Sequence, residues 1–231
     1  MRTSSATKAS TELSVHDIVK RLEEEIALGL LRPRERLVEE DLLMRFNTKR
    51  HVIRQVLVDL ELMGIVDRPP NRGAMVRDIG AQEIDQIYFM RDLLERTASE
   101  VMPLPMDAAV IKTLTDLHEQ HCKAVKESRL REVFRLNLEF HQVFFGACGN
   151  AQLAEAIAQF AFKAHAIRSY TIGHPAQLAR ICEEHTRMIK LMRGTNRAAL
   201  IKVVWAHKQP AKQAYLEASH QMRRLDTPPL R

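Results

Sequence analysis

Apolar residues near the amino terminus recur at intervals of three and four, the spacing of a helix that buries one face. The members of this face are Val15, Ile18, Val19, Leu22 and Ile26. Ser14 and Asp17 open the run as a capping-box-like pair, and Gly29 follows its end. The pattern predicts a first helix from about residue 15 to Leu28. Residues 1–12, rich in Ser and Thr, are predicted to be a flexible N-terminus.

Two further helices follow. The segment VEEDLLMRF, residues 38–46, predicts a short helix whose acidic first turn suits the helix dipole. After the turn NTK, a third helix is predicted from about Lys49 to Met63. Its apolar positions are Val52, Val56, Leu57 and Leu60. Arg50 and Arg54 are four residues apart, so they share a face that points away from this apolar stripe.

Two short strands are predicted next, at Ile65–Arg68 and Ala74–Arg77. The residues between them include Pro69, Pro70 and Gly73, as a hairpin loop does. Three short helices followed by a β-hairpin are the elements of a winged helix-turn-helix, in which the third helix enters a major groove. We therefore predict a winged helix-turn-helix DNA-binding domain over residues 13–78.

From Ala81 onward the pattern is helical throughout. Six helices are predicted, separated by breaks that contain Pro, Gly or Asn, at residues 81–102, 107–127, 129–147, 150–171, 175–193 and 196–221. Pro210 falls inside the last helix, which it either bends or divides because proline removes a backbone hydrogen bond. The predicted fold is mainly α, with an all-helical bundle of about six helices over residues 79–231.

Composition limits the class of protein. The chain is 45% hydrophobic and 28% charged, and no apolar run approaches the roughly 20 residues that span a membrane. The first ten residues lack the apolar core of a secretory signal, so a cytoplasmic protein is predicted. Cys122, Cys148 and Cys182 are odd in number and far apart. Free structural thiols are therefore expected rather than a disulfide framework.

The net charge of +6 permits a polyanionic partner, but its distribution does not locate one. Residues 1–78 carry 14 basic and 13 acidic side chains, so the predicted DNA-binding domain is nearly neutral. Within it, residues 45–77 carry seven basic side chains against three acidic ones. The local arrangement of charge is therefore more informative than the total.

That local arrangement favours DNA. Arg50 and Arg54 project from the start of the third helix, where guanidinium groups can bind guanine edges in a major groove. Lys49 and the helix N-terminus suit a phosphate, and Arg72 lies at the hairpin tip. The alternative is a charged helix face that is only solvated. An arginine at the tip of the adjacent hairpin favours the DNA-binding interpretation over that alternative.

Residues 35–76, ERLVEEDLLMRFNTKRHVIRQVLVDLELMGIVDRPPNRGAMV, resemble the DNA-binding domain of the GntR family of bacterial transcription regulators. The likeness covers about residues 14–78. It implies DNA contacts before the second helix, in the third helix and in the wing, from Arg36, Lys49, Arg50, His51, Arg54, Arg72 and Gly73. Lys49 stands where the family usually has Ser, and Arg34 where it usually has Gly. These departures predict an unusual operator sequence.

The segments NLEFHQVFFGACGN and EEHTRMIKLMRGTNRAALIKVVWAHKQ resemble the all-helical FCD effector domain of FadR-type GntR regulators, in its shorter VanR-like branch. The resemblance implies a divalent metal at the bottom of a central cavity, bound by Asn137, His141, His185 and His207. Three imidazoles that leave open positions suit Zn²⁺ or Ni²⁺. The family usually has Asp where Asn137 stands. An amide brings no charge, so a lower metal affinity is expected.

The same resemblance suggests residues that bind the effector. Arg91 matches an arginine that often points into the family's cavity, where it would receive a ligand carboxylate. Pairing with Glu95 on the next turn is an equally good alternative. His165 and Arg168 are predicted to line the cavity from the fourth helix of the bundle, with surface exposure as the alternative. His118 and His121 are interpreted as structural or surface residues.

These observations predict a metabolite-responsive transcription regulator rather than an enzyme. It is expected to bind a palindromic double-stranded DNA operator as a homodimer, to act as a repressor and to be released by a small organic acid. One alternative is a metal-dependent hydrolase that uses the three histidines to activate water, although no general base or nucleophile motif accompanies them. Another alternative is that the metal is purely structural, or that no metal is bound.

Overall fold

A computed structural model describes residues 13–70, 72–168 and 172–226, without the side chains at 166, 168 and 219–226. The predicted flexible N-terminus, residues 1–12, lies outside the described residues. The described part is mainly α, with a winged helix-turn-helix followed by an all-helical domain. This architecture confirms the predicted fold class.

The amino-terminal domain combines three helices with a small sheet. Its elements are α1 Val15–Ala27, β1 Arg36–Leu37, α2 Glu39–Phe46, α3 Arg50–Leu62, β2 Val66–Asp67 and β3 Ala74–Val76. Both strand pairings are antiparallel, and the strand order is β1–β3–β2. The sequence pattern missed β1, because two residues are too few to show an alternation of apolar and polar positions. The two predicted strands are each shorter than expected.

The ends of α1 and α3 follow the sequence signals. The Ser14 hydroxyl accepts a hydrogen bond from the Asp17 amide, and the Asp17 carboxylate accepts one from the Ser14 amide. The predicted capping box is therefore confirmed. Gly64 follows α3 with φ +75°, a left-handed conformation that a side chain would strain. The glycine explains why the chain turns there into β2.

The core of this domain lies between α1 and α3. Its fully buried members include Ile18, Leu22, Ile53, Val56 and Leu60. The predicted stripe of α3 contained Val52, which is only partly buried, whereas Ile53 is fully buried. Positions 53, 56, 57 and 60 follow the i, i+3, i+4, i+7 spacing of one helical face, so they form the better stripe.

The second domain consists of α4 Ala81–Val101, α5 Ala108–Lys126, α6 Leu130–Gly146, α7 Ala151–Lys163, α8 His165–Arg168, α9 Pro175–Met192 and α10 Arg197–Asp226. The predicted fourth helix, residues 150–171, was wrong as a single element, because α7 ends before Ala164 and a short α8 follows. Pro210 does not divide α10, which continues through it. Phe140, Phe144 and Met188 are fully buried in the core of this domain. Within the described residues, no helix is both long and apolar enough to cross a membrane.

Helix α1 connects the two domains, because it packs against α3 on one side and against α6 and α8 on another. Arg131 of α6 donates to Glu24 over 3.3 Å, and Nδ1 of His165 lies 2.9 Å from Oε1 of Glu23. The helix that supports the DNA-binding core is thus also in direct contact with the all-helical domain.

Candidate functional site

The arginines predicted to contact DNA lie on the exposed face of α3. Arg50 occupies the first position of the helix and Arg54 lies one turn on, with side chains 53% and 60% exposed. Lys49 and His51 are exposed beside them. Lys49 is the N-cap residue and makes no side-chain capping hydrogen bond, so the helix N-terminus is accessible to an anion.

Both guanidinium groups contact carboxylates at the start of α2. Nη2 of Arg50 lies 2.9 Å from Oε1 of Glu40, and Nε of Arg54 lies 3.3 Å from Oε2 of Glu39. The sequence explained these glutamates by the dipole of α2 alone, so the pairing was missed. Exposed ion pairs contribute only about 0–1 kcal/mol. A DNA phosphate or guanine edge can therefore replace these carboxylates at small cost.

Two further basic residues predicted to contact DNA lie in the small sheet and in the loop of its hairpin. Arg36 lies in β1 opposite Met75 of β3, and its side chain is exposed. Arg72 is exposed in the loop between β2 and β3. Gly73 has φ +74°, and no atom lies within 4 Å of the position that a Cβ would occupy. The glycine is therefore required by the backbone conformation of the turn rather than by crowding.

Three histidines converge in the all-helical domain. Nε2 of His141 lies 3.1 Å from Nε2 of His207, and the His185 ring centre is 5.2 Å and 5.0 Å from those two rings. One nitrogen from each ring lies within 4.8 Å of the other two. Nitrogen ligands of a tetrahedral ion lie about 3.3 Å apart. The spacing of His141, His185 and His207 is close to that requirement.

Asn137 lies one helical turn before His141 on α6 and borders the same cavity as His141 and His207. Its Oδ1 is buried and has no hydrogen-bond partner among the described residues. A buried carbonyl oxygen without a partner is costly, since burial removes its hydration. A cation beside the imidazoles would supply the missing interaction.

The charge state of His185 also suits a cation. Burial, together with the neighbouring imidazoles of His207 and His141, holds the pKa of His185 well below its usual range. The ring is therefore neutral at pH 7 and keeps a lone pair for a ligand. Both ring nitrogens of His185 are buried without a hydrogen-bond partner in the described part of the chain. Such an imidazole is poorly satisfied unless an ion or a ligand binds it.

Arg91 is buried and pairs with Glu95, its Nε lying 2.9 Å from Oε1. Nζ of Lys208 lies 2.9 Å from Oε2 of the same glutamate and 2.9 Å from Oδ1 of Asp92. Burial raises the pKa of Glu95, but the charges of Arg91 and Lys208 outweigh it and lower that pKa overall. Glu95 is therefore ionised. Of the two roles considered for Arg91, pairing with Glu95 is the one found in this structure.

Two cavities adjoin the histidines and Arg91. The smaller, of about 80 Å³, has mostly apolar walls, and its polar and charged lining residues are Arg91, His121, Asn137, His141, His207 and Lys208. The larger, of about 880 Å³, is bordered by Arg91, Glu95 and His141 and also by Glu23 and His165. His165 is buried, which excludes the surface alternative for it. The side chain of Arg168 lies outside the described residues.

Comparison with known proteins identifies both halves of the chain. Residues 15–76 match the description "bacterial regulatory proteins, gntR family", and residues 86–209 match the FCD domain. The chain belongs to the GntR-type transcription regulators with an FCD domain. The resemblance predicted from the sequence is thereby confirmed, and with it a DNA-binding transcription regulator that carries an effector-binding domain.

Relatives of this regulator include YdhC of Bacillus subtilis (strain 168), an HTH-type transcriptional regulator that is 28% identical over 78% of this chain and 80% of its own. The HTH-type transcriptional repressor RspR of Escherichia coli (strain K12) is 22% identical over 85% and 86% of the two chains. The solved structure of E. coli McbR/YncC shares the fold, with a TM-score of 0.70 and 18% identity over 90% of this chain and 98% of its own.

These families and relatives are transcription regulators rather than enzymes. The hydrolase alternative raised by the three histidines has no support among them. In this regulator the histidines therefore belong to an effector-binding domain.

The sequence missed two residues beside the histidines. Oε2 of Glu184 lies 2.7 Å from Nδ1 of His207, a contact that leaves Nε2 of that ring directed towards His141. His121 was interpreted as structural or surface, yet it is fully buried and borders the smaller cavity. Burial lowers the pKa of His121 to about 4, so this ring is neutral. The available signal was the spacing on α5, where His118 lies three residues before His121 and four residues before Cys122.

Proposed function

We propose that this regulator is a homodimeric repressor that acts in the cytoplasm and leaves a palindromic operator when a small organic acid binds its FCD domain. The acid would bind next to a divalent ion, Zn²⁺ or Ni²⁺, held by His141, His185, His207 and Asn137. The observation that carries the proposal is the convergence of three imidazoles beside cavities, the larger of which extends to α1 of the DNA-binding domain.

The donor set fits such an ion. The buried ring nitrogens of His185 and the buried Oδ1 of Asn137 have no partners among the described residues, and imidazole nitrogens are common ligands of Zn²⁺ and Ni²⁺. Glu184 would orient His207 through its contact with Nδ1 of that ring, leaving Nε2 for the ion. The ion, when bound, would supply open coordination positions and a positive charge for a carboxylate.

Because residue 137 is Asn rather than Asp, the proposed site would favour an anionic effector. Three imidazoles and an amide are all neutral, so a divalent ion would keep its full charge, whereas an aspartate at residue 137 would cancel half of it. Arg91 and Lys208 are already balanced by Glu95 and Asp92. An anionic effector would therefore meet a net positive centre in a buried site, where electrostatic attraction is strong. This charge balance favours an acid over a neutral or basic metabolite.

Coupling to DNA would pass through α1. The larger cavity is bordered by both Glu23 of α1 and His165 of α8, which contact each other at 2.9 Å. An effector that fills this cavity would bind more tightly to one arrangement of this contact than to another. An effector shifts a conformational equilibrium only through such a difference in affinity. Movement of α1 would then alter the placement of α3 on the operator.

A second copy of the chain would cover an apolar face of α4 and α10. Phe89, Leu93 and Trp205 are 67%, 52% and 53% exposed there, and Ile201 borders the groove between the two helices. Large apolar side chains grouped on a surface mark an interaction site. Pairing through this face would place two α3 helices on one duplex, with half-sites about one helical turn, roughly 34 Å, apart. The relative RspR is a transcriptional repressor, which supports the proposed direction of regulation.

The test is DNA binding measured by fluorescence anisotropy. A duplex selected by the protein from a random-sequence pool serves as the operator, and small carboxylic acids are added to metal-loaded and to chelator-treated protein. We expect at least one acid to weaken operator binding at least tenfold, and only in the metal-loaded protein. Acid responses that are identical with and without metal would refute the role of the ion. The absence of any response across mono-, di- and tricarboxylates would refute an acid effector.

A further inference from the structure

A second group of metal-binding side chains lies where α5 packs against α9. It consists of His118, His121 and Cys122 on α5 and Cys182 on α9, here named the thiol–imidazole cluster. It shares no residue with the three-histidine site, although the ring centres of His121 and His185 are 5.4 Å apart. The sequence treated all four side chains as structural or surface residues, and the proposed function uses none of them.

The distances within the cluster are those of metal ligands. Sγ of Cys182 lies 3.6 Å from Nδ1 of His121, and Sγ of Cys122 lies 3.6 Å from Nδ1 of His118. Sulfur and nitrogen ligands bound at about 2.3 Å and 2.05 Å to a tetrahedral ion lie about 3.6 Å apart. Ligand atoms of His121, Cys122 and Cys182 all lie within 4.8 Å of one another.

A hydrogen-bond relay orients the fourth side chain. The Thr186 hydroxyl donates to the Cys182 carbonyl at 3.0 Å and lies 2.9 Å from Nε2 of His118. Because its own proton is engaged, the hydroxyl oxygen accepts a hydrogen bond from Nε2–H of His118. The lone pair of that ring then lies on Nδ1, which is 3.6 Å from Sγ of Cys122, while Nε2 is 3.7 Å from the same sulfur. A hydrogen bond to the other ring nitrogen fixes the tautomer of a metal-binding histidine.

Burial and access both suit a bound ion. His121 is fully buried, and its Nε2 has no hydrogen-bond partner among the described residues. Cys122 and Cys182 are half-buried and form no disulfide, and Thr186 at the edge of the cluster is exposed. An ion can therefore reach the sulfur atoms from solvent and bind between α5 and α9.

We propose that His121, Cys122 and Cys182, with His118 as the fourth ligand, form a tetrahedral site for a thiophilic divalent ion, Zn²⁺. Two thiolates and two imidazoles are a common ligand set for Zn²⁺ in structural sites. The ion joins α5 to α9, and α9 also carries His185 and Glu184 of the neighbouring site.

This site has a consequence for the effector cavity. When Nδ1 of His121 binds the ion, the ring proton resides on Nε2, and His121 borders the smaller cavity. The ring then presents a fixed hydrogen-bond donor to whatever fills that cavity. Burial raises the pKa of Cys182 to about 12, a shift that a hydrogen bond from its thiol to Cys122 reinforces. Ion binding must therefore displace thiol protons, so affinity for the ion rises with pH.

The experiment uses full-length, metal-free protein titrated with Co²⁺, which substitutes for Zn²⁺ and absorbs in the near ultraviolet when a thiolate binds it. The variants are Cys182→Ser, Cys122→Ser, His141→Ala and, as a matched control, Cys148→Ala. Cys148 is a buried cysteine whose thiol donates to the Asn150 carbonyl, outside the cluster. Circular dichroism establishes that each variant is folded.

We expect the sulfur-to-cobalt band in the wild type and in the Cys148→Ala and His141→Ala variants, and its loss in both Ser variants. The His141→Ala variant separates this proposal from the proposed function, since it removes only the three-histidine site. Zn²⁺ should also slow alkylation of Cys122 and Cys182 at least tenfold, as measured by mass spectrometry. A wild type without the band, or a Cys182→Ser variant that keeps it, would show that the cluster does not bind the ion as proposed and would overturn the proposal.

Discussion

Nδ1 of His165 in the all-helical domain lies 2.9 Å from Oε1 of Glu23 in the DNA-binding domain. Both side chains border the larger cavity. His165 is buried and Glu23 lies on α1, the helix that packs on α3. A ligand in that cavity is therefore in contact, through this pair, with the domain that carries the DNA-binding arginines.

The Glu23–His165 pair predicts a variant that binds DNA but responds poorly to its effector. Glu23→Gln keeps the size of the side chain and weakens the contact with His165. We expect operator affinity without effector to stay within about threefold of wild type, because glutamine can keep a hydrogen bond to His165, worth about 1 kcal/mol net, and the arginines of α3 are unchanged. The loss of affinity caused by a saturating effector should shrink at least tenfold, as measured by anisotropy. The control is Glu100→Gln, which removes an exposed contact with Arg96 on α4. An unchanged effector response in Glu23→Gln would contradict coupling through this contact.

The carboxylate of Glu39 contacts both DNA-facing arginines, at 3.7 Å from Nη1 of Arg50 and 3.3 Å from Nε of Arg54. Glu39→Gln removes a competitor of the DNA phosphates. An exposed pair is worth up to about 1 kcal/mol, so affinity for a non-specific duplex should rise about fivefold at low salt. Asp41→Asn makes the same charge change in the same turn of α2 and should shift the affinity less than twofold. If Glu39→Gln weakens binding, the glutamate orients the arginines rather than competing for them.

Asn137 predicts a gain of metal affinity on substitution. Asn137→Asp adds a carboxylate to the three imidazoles, so Zn²⁺ or Ni²⁺ should bind at least tenfold more tightly by isothermal titration. The bound ion loses half of its net charge to the new ligand, and the affinity for an acid effector should fall in the same variant. His185→Ala is the matched control and should lose the ion. Unchanged metal affinity in Asn137→Asp would show that residue 137 does not reach the ion.

The exposed apolar face of α4 and α10 predicts that its disruption yields monomers. Trp205→Glu places a charge where a second copy would pack, so light scattering should report one chain per particle. Operator affinity should fall more than tenfold, because a single α3 then binds a single half-site. Leu30→Glu changes a residue that is 61% exposed outside this face, and it should leave the dimer intact. A dimeric Trp205→Glu variant with normal operator affinity would place the dimer interface elsewhere.

Local signals in the sequence predicted most of the fold. The capping box of Ser14 and Asp17, the glycine after α3 and the apolar spacing of α1 act within one or two helical turns, so the sequence displays them directly. β1 escaped prediction because its two residues form a strand only by pairing with β3, a contact made across a long separation in the chain. The break between α7 and α8 was missed for another reason, because it contains no Gly or Pro to mark it in the sequence.

The sites were less visible because they depend on packing between helices. The resemblance to a family supplied His141, His185 and His207, but the contact of Glu184 with His207 arises only where α9 meets α10. The ion pairs between α2 and the arginines of α3 also depend on how two helices cross. Cys182 comes near His121 only through the packing of α5 on α9. Rules based on the spacing of residues along the chain do not predict such pairs.

The central claim is that the exposed arginines at the start of α3 bind duplex DNA. It is tested most directly by operator affinity in the double variant Arg50→Ala/Arg54→Ala, with thermal unfolding as a check on the fold. Lys190→Ala, a change at an exposed position on α9, serves as the control. We predict at least a hundredfold loss of operator affinity and a shallower salt dependence, since charged contacts to DNA are lost. The unfolding temperature should stay within a few degrees of wild type, because both side chains are exposed. Wild-type operator affinity in a folded double variant would contradict the account.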